Sequence, residues 1–342
     1  MAGSKCQPAN LLTGLVFLAD WLQQLTIGIV LGSVYALIAL GYTMVYGVLR
    51  LINFAHGDVY MLGAFFGYFA ANALRTAEHP SLWRAAAVFL IAMGLCALVG
   101  MTIERFAYRP LRQAPRLTAL ITAIGVSFLL EYGGQLVFGA DPKSFPDVIE
   151  TKPVVEWEYK GSFLIITNTQ VVIVVVAFAL MLLLRFIVLH TKIGKAMRAV
   201  AQDREAAALM GVNTDAVISF TFALGSALAA AGGILISLYQ PSIDPLMGVL
   251  PGLKAFVAAV LGGIGNIPGA VLGGLLMGLA ETFVIANTLW LPPILMRLGM
   301  AKESASGVDI SNYADAIAFL ILIVVLLVRP SGLLGSVQRE KV

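Results

Sequence analysis

Long apolar runs without charge follow one another along this chain. Residues 21–49, 85–103 and 216–243 contain no charged side chain, and 171–184 read VVIVVVAFALMLLL. A bilayer core about 30 Å thick needs roughly 20 apolar residues for each helix that crosses it. Since lipid offers no hydrogen bonds, the backbone must satisfy its own, which a helix does within a single segment. The pattern therefore predicts a chain built from membrane-spanning helices.

Nine spans are predicted from this pattern. They cover 24–48, 58–74, 85–105, 117–138, 169–189, 214–238, 251–264, 269–289 and 312–329. The uncharged run 255–280 would be about 39 Å long as one helix, too long for an ordinary span, so we divide it at GGIGNIPG. The predicted fold class is all-α: a polytopic transmembrane helical bundle of about eight to nine spans, forming a single domain over 1–342.

Composition supports a membrane protein, and the distribution of charge orients it. Hydrophobic residues make up 59% of the chain and charged residues 12%, whereas a soluble domain carries about 25% charge. Loops 105–116 and 191–212 are rich in Lys and Arg, which indicates the cytoplasmic side. Loop 139–168 has more acidic than basic residues and is predicted to be periplasmic. A net charge of +3 does not suggest a nucleic-acid partner. The apolar composition makes the lipid bilayer the expected surrounding of the chain.

One stretch of the basic loop resembles the docking segment of ABC importer permeases. EAAALMG, residues 205–211, is similar to their EAA-x-x-x-G motif. The resemblance implies that 191–212 forms a cytoplasmic coupling-helix loop that docks into an ATPase subunit. In this reading Glu205, beside Arg204, makes the ionic contact, Ala206 and Ala207 allow close approach, and Gly211 permits the turn into the next span. The alternative is an amphipathic helix over 195–210 that rests on the membrane surface.

Longer stretches resemble LivH-type permeases of branched-chain amino acid ABC importers. They are 28–65, 254–281 (KAFVAAVLGGIGNIPGAVLGGLLMGLAE) and 319–335 (FLILIVVLLVRPSGLLG). The resemblance implies a multi-pass permease subunit of the bacterial inner membrane that imports these amino acids. Its implied partners are a second permease subunit, LivM-like or a copy of itself, two cytoplasmic ATPases and a periplasmic binding protein. Permeases for urea and short amides are similar, so the substrate class stays open.

The sequence contains no motif for binding ATP. The phosphate-cradling pattern G-x-x-x-x-G-K-[ST] is missing, so the chain is not expected to hydrolyse ATP by itself. We expect no cofactor in this chain, with ATP and Mg bound by the partner ATPases. Histidines occur at 56, 79 and 190, in separate loops or helix ends, so neither a metal site nor a catalytic cluster is predicted. We therefore expect a transport subunit and not an enzyme.

Ionisable residues inside predicted spans keep a second class of transporter open. Glu131, Lys254 and Glu281 fall within or at the start of spans, where charge is costly and normally functional or paired. Together with His56 and Asp58, they are the candidates for a proton-coupled secondary transporter. The competing structural reading is an ion pair, with Lys254 reaching along its flexible stem to Glu281.

The segment RLINFAHGDVYM, residues 50–61, concentrates polar groups between the first two spans. Its position predicts a connection at the cytoplasmic end of the first span, too near that end for an ion site in the middle of the membrane unless the segment re-enters the bilayer. Asp58 is expected to cap the helix that follows, as short polar side chains commonly do. The functional alternative is that Asn53, His56 and Asp58 form an inner gate.

The second candidate gate is the glycine-rich break LGGIGNIPGAVLGG, residues 261–274. Irregular backbone is tolerated in a membrane only where neighbours or water satisfy it. Here the functional reading is a hinge or gate of the translocation path, and the structural reading is close packing with a turn. The residues that would shape the gate are Gly262, Gly263, Gly265, Asn266 and Pro268.

Overall fold

The computed structural model describes residues 9–112, 114–159 and 162–335, and most of them are helical. Six helical stretches are long and apolar enough to cross a membrane: Leu18–Leu49, Leu82–Leu111, Leu117–Phe138, Asn168–His190, Thr214–Tyr239 and Ile267–Ile285. Shorter or less apolar helices stand at the other three predicted spans. The prediction of a polytopic helical bundle is confirmed.

Thirteen α-helices occur among the described residues. They are α1 (Ala9–Leu49), α2 (His56–Ala73), α3 (Leu82–Ile103), α4 (Arg116–Phe138), α5 (Asn168–His190), α6 (Lys192–Gln202), α7 (Arg204–Leu209), α8 (Thr214–Tyr239), α9 (Val249–Gly262), α10 (Ile267–Ile285), α11 (Asn287–Arg297), α12 (Lys302–Ser306) and α13 (Ala314–Val328). A π-helical stretch, Glu104–Tyr108, and a 3-10 turn, Arg109–Leu111, extend α3.

The centre of the bundle is formed by α1, which packs against α10 and α8. Every residue from Gly32 to Val45 is buried, as expected for a helix surrounded by other helices. Close approach depends on glycine, since a Cβ atom added at Gly278 would lie 2.2 Å from the backbone nitrogen of Gly32. In lipid, small residues of this kind let helix backbones come near enough for dispersion contacts to hold them together.

The outer helices turn apolar side chains away from the protein. In α4, Leu136 and Val137 are exposed, and in α13, Leu327 and Val328 are exposed. Such surfaces suit lipid or another membrane subunit, because water would not solvate them favourably. The outer helices are thus apolar at their exposed positions, as expected for the membrane spans predicted from the sequence.

Three short strands of the described residues lie in loop 139–168, which was predicted to be periplasmic, and a fourth lies between α8 and α9. Strand β1 (Lys143–Ser144) pairs with β4 (Ser242–Ile243), and an antiparallel hairpin joins β2 (Pro153–Tyr159) to β3 (Ser162–Thr167). The hairpin contacts the bundle where the Ile165 backbone N–H donates to the Gln23 side chain at 2.9 Å. The hairpin adds a pair of strands that the all-α prediction did not include.

Candidate functional site

The connection between α1 and α2 turns back into the bundle. His56, the first residue of α2, is buried, and its ring lies against Gly41, where an added Cβ would be 2.2 Å from His56 Nε2. Gly41 precedes the last residue of α1, Leu49, by about two helical turns, or about 12 Å. The structure therefore matches the re-entrant alternative and not a connection at the end of the span, because α2 begins inside the bundle.

Asp58 contacts a different helix from the one it was expected to cap. The residue before α2 is Ala55, and no side chain caps the helix there. Instead the Ser127 hydroxyl of α4 donates a hydrogen bond to Asp58 Oδ2. Ser127 is the central residue of α4, with Arg116 and Phe138 at equal distances along the chain. The capping prediction is wrong, and Asp58 lies level with the middle of a membrane-spanning helix.

Glu131 completes a small polar cluster at this depth. Ser127 Oγ lies 3.4 Å from Glu131 Oε1, one turn further along α4. Both Asp58 and Glu131 are buried, and none of the salt bridges between described residues includes either of them. Buried carboxyl groups are costly unless they are hydrogen-bonded or matched by a cation. We name Asp58, Ser127 and Glu131 the carboxyl cluster.

Asn53 is held by the end of α3. The Tyr108 hydroxyl donates to Asn53 Oδ1 at 2.8 Å, and both residues are buried. Asn53, His56 and Asp58 thus reach three different neighbours, the π-helical stretch, α1 and α4. The role of these three residues in gating stays a prediction.

A second helix begins beside the first residues of α2. A Cβ atom at Gly57 would lie 2.6 Å from the carbonyl oxygen of Gly248, which directly precedes α9. The amino-terminal ends of α2 and α9 therefore meet within the bundle. Each helix end carries partial positive charge from its free N–H groups.

The loop that resembles a docking segment forms two helices and not one. Asp203 interrupts the predicted helix over 195–210, because its side chain accepts from the Ala206 N–H and starts α7. Glu205 and Ala206 are exposed. Ala207 was expected to lie against a partner, but it is buried within this chain. Gly211 has a φ of +84°, which fits the predicted turn into α8.

The tip of this loop presents two exposed apolar side chains. Leu209 is 89% exposed and Met210 is 84% exposed. Both lie at the end of the bundle where arginines gather, since Arg204 of α7 is 3.8 Å from Asp215. Exposed apolar residues beside charged ones are typical of a surface that another protein covers.

Comparison with known proteins agrees with the geometry. Residues 24–326 match the family described as branched-chain amino acid transport system, permease component. The chain belongs to this family. It is 42% identical over 323 residues to the high-affinity branched-chain amino acid transport system permease protein LivH of Escherichia coli K12, covering 94% of this chain and 98% of that protein.

Two further relatives extend this likeness. The high-affinity branched-chain amino acid transport system permease protein BraD of Pseudomonas aeruginosa PAO1 is 41% identical over 94% of this chain and 98% of its own. A probable branched-chain amino acid transport permease protein LivH of Methanocaldococcus jannaschii is 27% identical, with 90% of each chain covered. This permease is thus a multi-pass inner-membrane protein and a transport component rather than an enzyme.

The glycine-rich break of this permease is a turn held by the C-terminal segment. Gly263 and Gly265 have φ of +101° and +95°, and Asn266 caps α10 by accepting from the Gly269 N–H. The Asn266 amide also donates to the Leu334 carbonyl at 2.7 Å. Gly262 lies against Gly269 across the turn, and Pro268 occupies the first turn of α10. The division into two helices is confirmed, and a gating role stays a prediction.

The predicted ion pair inside the membrane is present and larger than expected. Lys254 Nζ lies 2.7 Å from Glu281 Oε1, which confirms the structural reading of these two charges. Lys254 also contacts Asp315 of α13 at 2.6 Å, and the Tyr35 hydroxyl donates to Glu281 at 2.8 Å. This group fastens α1, α9, α10 and α13 to one another.

Several residues of these clusters were missed by sequence reasoning. Ser127, Tyr108 and Asp315 carry ordinary side chains for their positions, and their partners are distant in the chain. The one available signal was Ser127, which precedes Glu131 by four residues and so shares its helix face. Local spacing could reveal that pair but not the partner in α2.

Proposed function

We propose that this chain translocates branched-chain amino acids across the inner membrane into the cytoplasm, as one permease subunit of a binding-protein-dependent ABC importer. The observation that carries the proposal is the 42% identity to LivH over 94% of this chain and 98% of that protein. Nearly complete coverage of both chains means that the likeness includes the loops as well as the spans. None of the relatives reported above is described as a urea or amide permease.

The energy for transport comes from separate ATPase subunits in this proposal. Two such subunits bind ATP and Mg, and one of them contacts this chain at α7. Support comes from the exposed Glu205, which is available for an ionic contact, and from the exposed Leu209 and Met210, which offer apolar area to a cleft. Apolar area that becomes buried when two proteins associate favours binding through the hydrophobic effect.

A second permease subunit and a binding protein complete the proposed assembly. The second subunit is either a LivM-like chain or another copy of this one, packed against the apolar outer helices. The periplasmic binding protein delivers the amino acid at the end of the bundle that carries the β2–β3 hairpin. Support for that side is the charge distribution, since basic residues collect at the opposite end.

The carboxyl cluster is the proposed site at which the translocation path contacts the polar groups of the amino acid. An amino acid in transit carries an ammonium and a carboxylate, and both need partners within the membrane. Asp58 and Glu131 offer acceptors for the ammonium group. In several transporters, helices that start inside the membrane direct the partial positive charge of their amino-terminal ends at an anionic group of the substrate. The amino-terminal ends of α2 and α9 would do the same here for the carboxylate of the amino acid.

Uptake by the full complex in lipid vesicles tests this function. The complex of both permeases, the ATPases and the binding protein is supplied with ATP and with labelled leucine, urea or acetamide. Leucine uptake without urea or acetamide uptake supports the proposal. Uptake of urea or acetamide with no uptake of leucine would overturn the substrate class while leaving the ABC mechanism in place.

A further inference from the structure

Asp215, in the first turn of α8, is the meeting point of three arginines. Arg109 and Arg112 both donate hydrogen bonds to its carboxylate, and Arg204 of α7 lies 3.8 Å away. The aspartate therefore connects the proposed docking helix with the segment that follows α3. Both segments belong to loops that the charge pattern places in the cytoplasm.

Arg112 carries the connection from this surface into the protein. Its side chain is only 6% exposed, and it donates both to Asp215 and to Glu104, whose side chain is 1% exposed. The Ser219 hydroxyl of α8 donates to the second oxygen of Glu104 at 2.5 Å. Hydrogen bonds between ionised groups are about twice as strong as those between neutral groups, so Arg112 joins Asp215 and Glu104 firmly.

Glu104 begins the π-helical stretch, and Tyr108 ends it. π-helical turns are rare and occur frequently at functional sites. The Tyr108 ring packs against Phe222 with centroids 5.3 Å apart, and its hydroxyl donates to Asn53 at 2.8 Å. Five residues of unusual helix therefore connect the arginine cluster at one end with the α1–α2 connection at the other.

Asn53 lies three residues before α2, and α2 carries Asp58. A displacement of Asn53 would shift the start of α2 and with it the hydrogen bond between Asp58 and Ser127. Energetic coupling between distant sites is carried by such contiguous hydrogen-bond networks and rigid elements when they have two arrangements. Side-chain contacts, together with the backbone stretches 104–108 and 53–58, thus connect α7 with the carboxyl cluster.

We propose that Asp215, Arg112, Glu104, Tyr108 and Asn53 form a transmission path that carries movement of α7 to the start of α2. The path rests on the proposed function, because it takes α7 to be the contact with the ATPase. Its members are positioning residues: they touch neither ATP nor the amino acid, and they set where Asp58 lies when the ATPase changes state.

Tyr108→Phe tests this path with the smallest change to the protein. It keeps the ring against Phe222 and removes only the hydroxyl that binds Asn53. The measurement is the number of ATP molecules hydrolysed per leucine taken up by the full complex in vesicles. We expect ATP hydrolysis to continue while uptake falls at least about five-fold, the lower end of typical coupling between sites. Tyr313→Phe, which removes the same atom from an exposed residue, should leave the ratio unchanged.

A double variant separates transmission from ordinary stabilisation. Asp215→Asn weakens the outer end of the path by removing the negative charge that the three arginines share, at a side chain that is 38% exposed. If both residues act on one path, the double variant should hydrolyse no more ATP per leucine than the stronger of the two single variants. If they act independently, their effects on the ATP consumed per leucine should multiply. Multiplying effects would overturn the proposal, and Asp215→Asn alone serves if Tyr108→Phe assembles poorly.

The failure of the path and the failure of the proposed function give different results. If the unmodified complex shows no ATP-driven leucine uptake, the proposed function fails and the path fails with it. If the unmodified complex couples ATP to uptake, and both Tyr108→Phe and Asp215→Asn keep its ratio, the path alone is wrong.

Discussion

Ser127, at the midpoint of α4, donates a hydrogen bond to Asp58, the third residue of α2. The contact joins a complete membrane-spanning helix to one that begins inside the bundle. It also brings Asp58 next to Glu131, so that two buried carboxyl groups flank one hydroxyl. Because the chain has few charged residues, the carboxyl cluster is the best candidate for direct interaction with a zwitterionic substrate.

Asp58→Asn should reduce leucine uptake without unfolding the permease. Asparagine keeps the size of the side chain and an acceptor for Ser127, but it removes the ionisable oxygen that would attract an ammonium group. We expect uptake by the full complex to fall by at least about ten-fold, since a hydrogen bond to a charged group contributes roughly 1.5–3 kcal/mol. Thermal unfolding of the purified complex should change little.

Glu78→Gln is the matched control, because this glutamate is exposed in the connection after α2. Its uptake should equal that of the unmodified complex. Full ATP-driven uptake by a His56→Ala, Asp58→Ala double variant would show that residues 50–61 form only a turn and would contradict a role for Asp58 in transport.

Lys254→Ala should destabilise the permease strongly. The substitution leaves Glu281 and Asp315 near each other without their cation, and breaking a largely buried pair costs about 3–5 kcal/mol. We expect a clear fall in the unfolding temperature of the purified complex. Lys254→Met combined with Glu281→Met should recover part of it, because the double variant buries no unpaired charge from this pair. Equal losses in the single and double variants would argue against a stabilising ion pair.

Two glycine-to-alanine substitutions should have opposite effects on stability. A Cβ atom at Gly63 would lie 2.3 Å from Ala230 Cα, so Gly63→Ala should destabilise the α2–α8 contact by about 1–3 kcal/mol. A Cβ atom at Gly94 would meet no atom of another element within 4 Å, so Gly94→Ala should be neutral or stabilise by up to about 1 kcal/mol through helix propensity. Thermal unfolding measures both, and similar shifts would contradict the close packing of α2 and α8.

Glu205→Arg should uncouple transport while leaving the permease in the membrane. The exposed carboxylate is proposed to make an ionic contact with the ATPase, and like charges across an interface cost on the order of several kcal/mol. We expect uptake to fall by at least about ten-fold, with less ATPase recovered when the permease is purified from membranes. Glu150→Arg, at an exposed residue of the opposite loop, should preserve both. Normal uptake by Glu205→Arg would contradict docking at α7.

The spans were predictable because each depends on its own composition. Lipid requires an apolar helix of fixed length, so a run such as 171–184 indicates a span whatever its neighbours are. The division of 255–280 was equally local, since a turn at Gly263 and Gly265 follows from glycine and proline in the sequence. Loop 105–116 and loop 191–212 also proved to share one end of the bundle, where Arg109 and Arg204 approach Asp215.

The depth of α2 and the contacts of its polar residues could not be predicted in this way. Residues 50–55 form no helix, and nothing in their composition shows that they return towards the centre of the bundle. That geometry depends on Gly41 leaving room for His56, and on Ser127 facing Asp58 from a helix about 70 residues later in the chain. Contacts over such separations follow from packing and not from spacing, so the residues of the carboxyl cluster were recognised only in part.

Leucine uptake into vesicles with and without ATP tests the central claim most directly. The vesicles contain the complete complex, and a protonophore is added in one arm to abolish the proton gradient. We predict uptake that requires ATP and continues when the gradient is abolished, because the driving force enters through α7 from the ATPases. Uptake that persists without ATP and stops when the gradient is abolished would show a proton-coupled carrier and would contradict the account.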